Sequence, residues 1–125
     1  MRIFDNILSD RGSKYAVSGG PCTSEAEARA MVAKLCETRK FAKASHHSWG
    51  LLTADGPIKA DDGEAGAGMV ILRMLERAEL RGHVIIVTRW FGGKHLGNPE
   101  VQLSVDVSQR TLIALEWNES KQLCK

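Results

Sequence analysis

The chain predicts an α/β domain, and three stretches carry that prediction. An S-x-x-E capping signature at Ser24 and Glu27 opens an amphipathic helix, and "ASHHSWGLLT" (44–53) alternates as a strand does. "VIIVT" (84–88) is a nearly uniform apolar run, as expected of a central strand covered on at least one face. Helical and strand periods follow one another along 125 residues, a length that holds one domain. A hydrophobic fraction of 43% and a charged fraction of 26% suit a globular chain able to bury a core.

In chain order, the first dozen residues show no clear period. "KYAVSGG" (14–20) reads as a short strand closed by Gly19–Gly20–Pro21. The helix from about Ser24 to Thr38 places Ala28, Met31, Val32 and Leu35 on one face, with Glu25 and Arg29 one turn apart on the solvated side. In the next strand, alternation sends His47, Trp49 and Leu51 to one face and His46, Ser48 and Leu52 to the other. "ADGP" (54–57) is a turn and "IKA" its returning strand. The segment 69–80 is helical, with Ile71, Met74, Leu75 and Ala78 as its apolar stripe, Arg73, Glu76 and Arg77 exposed, and Gly82 as its stop. After the strand at 84–88 and a glycine-rich loop, Pro99 opens a last helix carrying Val101, Val105, Leu112 and Leu115.

The bulk properties narrow the function classes. A formal charge of +2 is too small for nucleic-acid binding by bulk electrostatics. Cys22, Cys36 and Cys124 are odd in number and lack CxxC spacing, which points to reduced thiols in the cytoplasm. The start of the chain has no sustained apolar region, and the apolar runs are too short to span a bilayer, so no membrane is expected.

Three motifs invite chemical readings. Gly92–Gly93–Lys94–His95–Leu96–Gly97 offers backbone N–H groups and a cation where a strand meets a helix, yet its spacing fits neither GxxxxGK[ST] nor GxGxxG. Either its glycines supply a sharp turn, or the loop displays an anion- or partner-binding surface. Asp61, Asp62 and Glu64 could hold magnesium or act as acid and base, or could cap the following helix, for which capping alone suffices. His46 and His47 point to opposite strand faces and cannot readily share one metal; a satisfied, partly buried histidine is the simpler reading. No metal, cofactor, nucleophile elbow or Cys–His pairing is predicted, and Cys36 is expected to be packed.

Together "SDRGSKYAV" (9–17), "KASHHSWG" (43–50), "DDGEAGAG" (61–68), "VIIVTRWFGGKHLG" (84–97) and "VSQR" (107–110) resemble the IMPACT/YigZ family, in its order, across about residues 9–116. "DDGEAGAG" and "RWFGG" are similar to the eukaryotic branch. The resemblance implies a two-layer α/β sandwich like domain 2 of ribosomal protein S-five, a mixed sheet with helices on one face. It implies a single domain over 1–125, without the RWD domain of full-length IMPACT proteins or the ferredoxin-like domain of YigZ. "NPEVQL" after "HLG" departs from the family's usual start of the last helix. The implied function is not enzymatic. It is translation regulation in the general amino-acid control response, through binding the ribosome-associated activator of the initiation-factor kinase; the alternative is RNA or ribosome binding. A third reading, an uncharacterised enzyme, requires Asp62, Glu64 and His46 to converge on one cleft. The implied partner- or nucleic-acid-binding surface combines His46, Asp61, Asp62, Glu64, Arg89, Trp90, Gly92, Gly93, Lys94 and His95.

Overall fold

The computed structural model describes residues 2–10, 13–63 and 65–91; in the first strand it describes the backbone and, of the side chains, that of Ile3. Along the chain run β1 (Arg2–Asp10), β2 (Ser13–Pro21), α1 (Glu25–Leu35), α2 (Arg39–Ala42), β3 (His46–Thr53), β4 (Gly56–Ala60), α3 (Ala67–Arg77) and β5 (His83–Trp90). The strands form one sheet in the order β1-β2-β5-β3-β4. The α/β class predicted from the element order is the one observed.

Two details differ from the expectation. Every described strand pair is antiparallel, so the sheet is not mixed among these strands. Helices also cover both faces, giving three layers rather than two. On one face Ile71, Leu72, Met74 and Leu75 of α3 join Tyr15, Val17, Leu52, Ile85 and Val87. On the other, Ala28 and Leu35 of α1 and Phe41 of α2 join Ala16, Trp49, Leu51, Val84 and Ile86. The cause lies in β5. Its alternate residues, Val84 and Ile86 against Ile85 and Val87, are apolar on both sides, so neither face can be left to water.

The elements begin and end for local reasons. Ser24 accepts the Glu27 N–H at 3.2 Å, while Glu27 reaches back to the N–H of Thr23 rather than of Ser24, so the capping box closes one residue early. α1 stops at Leu35, three residues short of the expected end, and the chain turns into the separate α2. The Glu25–Arg29 pair forms as read, at 2.9 Å on the solvated side. α3 ends before Gly82: Glu79 takes a positive φ of 53° and the Leu80 N–H bonds back to the Leu75 carbonyl. Gly82 instead ties its loop to the sheet, donating to the Leu52 carbonyl and accepting from Cys22 N–H. The opening residues do form a strand; a register shift between Phe4 and Leu8 breaks the alternation that would have revealed it. The helix expected after Pro99 lies outside the described residues.

Gly50 sets how closely α3 sits. A Cβ there would meet Ile71 Cγ2 at 2.9 Å and the Leu72 backbone nitrogen at 3.3 Å, so any side chain would push α3 off β3. That close approach brings the N-terminus of α3 against the end of β4 and the start of β3, where the acidic motif lies.

Candidate functional site

The motif at 61–68 connects β4 to α3, and its first two carboxylates are spent on backbone N–H groups. Asp61 Oδ1 accepts from Gly68 N at 2.8 Å inside the first turn of α3, and its carboxylate also pairs with Lys59 Nζ at 3.3 Å. The Ser48 hydroxyl donates to the Asp61 carbonyl at 2.8 Å. Gly68 is required for this: a Cβ on it would lie 2.7 Å from Asp61 Oδ1. Burial raises the Asp61 pKa, but the N–H groups of Gly68 and Gly66 and the Lys59 ammonium outweigh it and hold the group below its ordinary carboxyl value.

Asp62 acts in the other direction, onto β3. Its Oδ2 accepts from His47 N at 2.6 Å, beyond the last β3–β4 pair, Trp49 with Ala60. The carboxylate thus replaces a ladder partner that β4 no longer supplies. Asp62 adopts a φ of +50°, and its carbonyl accepts from His46 Nδ1 at 2.8 Å. Because a carbonyl only accepts, the His46 proton sits on Nδ1. The imidazole lies over the turn, 3.4 Å from where a Cβ on Gly63 would stand.

His47 faces the opposite side, as the alternation predicted, and is buried there. Nε2 bonds the Phe41 carbonyl at 3.0 Å and Nδ1 the Thr88 hydroxyl at 2.9 Å. Nε2 is therefore the donor and Nδ1 the acceptor: a satisfied core histidine. Cys36 Sγ also lies 3.5 Å from Nε2, a Cys–His proximity that the sequence reading missed. The two residues come together only because α1, α2 and β3 fold back sharply. Since the Nε2 proton points to a carbonyl, this imidazole is not set to take the thiol proton.

Arg89 and Trp90 part company. The strand runs two residues past the expected Thr88, so alternation sends the pair to opposite faces. Arg89, 2% exposed, pairs across the ladder with Tyr15 and His46. Its guanidinium carbon lies 5.3 Å from the Phe91 ring centre and 6.0 Å from that of Tyr15, and Nη2 donates to Ser13 Oγ at 3.4 Å. Trp90 is half-buried against α2: its indole N–H donates to the Lys40 carbonyl at 2.9 Å, its ring stands 5.2 Å from Phe41, and Lys40 Nζ lies 5.6 Å above it. Of the residues read as one surface, the fold gathers His46, Asp61 and Asp62 around one turn, sets Arg89 beside His46, and turns Trp90 away. Glu64, Gly92, Gly93, Lys94 and His95 lie outside the described residues.

Phe91, read from the sequence as an aromatic pair with Trp90, is separated from it by the end of the strand. It is 38% exposed beyond β5, and its N–H donates to the Ser45 hydroxyl beside His46. Among the described residues no three His, Cys, Asp or Glu side chains converge as metal ligands, and no helix is long and apolar enough to cross a membrane. A cavity of about 300 Å³ opens between α1 and the β3–β4 hairpin, lined by Arg29, Val32, His47, Trp49, Ala60 and Asp62.

Comparison with known proteins places this geometry. The sequence profile of the Impact N-terminal domain matches residues 11–112. Protein IMPACT homolog of Saccharomyces cerevisiae is 34% identical over 97 residues, covering 72% of this chain and 37% of its own length. The chain thus spans well under half of that relative. A crystallised hypothetical protein superposes with a TM-score of 0.74 at 18% identity, over 90% of this chain and 57% of that one, a likeness of fold. The two-domain translational regulator Yih1 superposes with a TM-score of 0.50 at 27% identity, over 84% of this chain and 43% of its own. With the profile covering both the 61–68 turn and the strand that carries Arg89, the chain belongs to the Impact N-terminal domain family.

Proposed function

We propose that this chain regulates translation without catalysing a reaction, by binding a protein partner, and that the partner is the ribosome-associated activator of the initiation-factor kinase in the amino-acid starvation response. The observation that carries the reading is the family match across residues 11–112, shared with proteins named IMPACT and with a translational regulator. The motif geometry agrees. Asp61 and Asp62 hold backbone N–H groups, so they shape a turn rather than stand ready as acid and base. This reading implies a cytoplasmic protein, where ribosomes translate.

The partner surface in this proposal is the turn at Asp62 and Gly63, the His46 ring upon it and the exposed Phe91, with Arg89 supporting it from beneath. An exposed aromatic beside a fixed polar turn is the composition of a binding hot spot. The test is a pull-down from starved-cell lysate, probed for the activator, with wild type against the double variant His46→Ala/Phe91→Ala. Recovery by wild type and loss in the double variant is the expected result. A folded wild-type protein that recovers none of the activator overturns the reading.

A further inference from the structure

The cavity between α1 and the β3–β4 hairpin lies on the His47 face of the sheet, opposite the His46 ring, and shares only Asp62 with the partner surface proposed above. Its walls carry opposite charges. Arg29 comes from α1 and Asp62 from the loop after β4, while Val32, Trp49 and Ala60 supply an apolar lining. Arg29 is ion-paired with Glu25, yet each wall group keeps hydrogen-bonding capacity. Glu25 Oε1 accepts from Arg29 Nε and Nη2, which leaves Nη1; His47 N–H occupies Asp62 Oδ2, which leaves Oδ1 without a hydrogen bond among the described residues. Trp49 is 3% exposed and lines the cavity, yet the described residues give its indole N–H no acceptor. The N–H is not sealed from solvent, so water in the cavity can satisfy it until a ligand takes that place.

We infer that this cavity binds a small zwitterion with an apolar body, of the kind and size of a free aliphatic α-amino acid. The donors Arg29 Nη1 and Trp49 Nε1 suit a carboxylate, Asp62 Oδ1 suits an ammonium group, and Val32 and Ala60 suit an aliphatic side chain. At about 300 Å³ the cavity is at the small end of ligand sites and suits a molecule of about ten heavy atoms. A doubly charged ligand is favoured over a singly charged one because each blocked charge would forgo one charge-assisted hydrogen bond.

The test uses the indole resonances of the ¹⁵N-labelled full chain, which has three tryptophans, with Trp49→Phe to assign the one at issue. Leucine, N-acetyl-leucine, leucine amide and N-acetyl-leucine amide are each titrated to 10 mM. Leucine is expected to shift the Trp49 indole signal saturably while leaving that of Trp90 in place. Each blocked charge should weaken binding about tenfold, the size of one charge-assisted hydrogen bond. Arg29→Gln, at an exposed position, should weaken leucine about tenfold while the Trp90 signal reports an intact fold. Asp62→Asn, which keeps an oxygen for His47 N–H, should do the same. A Trp49 signal that does not move, or that moves equally with the doubly blocked analogue, overturns the inference. Recovery of the activator in the pull-down above does not depend on either result.

Discussion

The two faces of the sheet are covered by helices of different quality. α3 buries Ala67, Gly68, Ile71, Leu72, Met74 and Leu75, pressed onto β3 through Gly50, and its cluster is almost wholly aliphatic. α1 buries only Ala28 and Leu35; Met31 and Val32 remain half-buried, and the face includes an imidazole, an indole and an open cavity. A well-filled face supplies cohesion, and a loosely filled one leaves room for polar groups and ligands. The difference teaches that stability and any small-molecule chemistry are divided between the faces, while the acidic turn at the sheet's end joins them.

Substitutions that attack the α3 face should break this comparison most visibly. Leu75→Ala removes a fully buried side chain and should cost about 3 kcal/mol in urea unfolding, whereas Val32→Ala on α1 should cost less than about 1 kcal/mol. Equal losses would show that the faces are equivalent. Gly50→Ala should cost about 2 kcal/mol, because its methyl meets Ile71 at 2.9 Å.

The turn between the faces gives a subtler effect. Asp61→Asn should cost about 1 kcal/mol at neutral pH, since an amide oxygen bonds Gly68 N–H less strongly than a carboxylate. The folded-state pKa of Asp61 lies below the ordinary 3.8, so the ionised group stabilises the fold above that value, and the contribution is lost as pH falls through the lowered one. Denaturation curves of wild type and Asp61→Asn should accordingly converge as pH drops below 3.8; a constant gap would show that the charge plays no part. Ser24→Ala, which removes the cap of α1, should cost about 1 kcal/mol or less and shift the thermal midpoint by a few degrees.

Much of this was legible in the sequence where one period ran undisturbed. The opposition of His46 to His47 followed from strand alternation, and the exposed Glu25–Arg29 pair from helical spacing. Failures came where a boundary or a long-range partner decided the outcome. Ending β5 at Thr88 rather than Trp90 merged Arg89 and Trp90 into one surface, although a strand two residues longer sets them on opposite faces. The targets of Asp61 and Asp62 were hidden because a carboxylate's partner is set by how the loop folds. The sheet's three-layer burial was written in β5, whose two apolar faces asked for cover on both sides; the expectation of one covered face came from resemblance instead.

The paired carboxylates have a consequence for how this region tolerates insertion. Asp61 reaches forward to Gly68 and Asp62 reaches back to His47, so the segment between them works as a gauge with both ends fixed. One added residue between Asp62 and Gly68 would draw a carboxylate off its N–H group. It would also loosen the anchor that keeps β3 from slipping by one position, and such a slip would exchange the environments of His46 and His47. Surface loops usually absorb changes of length at little cost. This one should not, and its eight residues are better regarded as a measured span than as a connection.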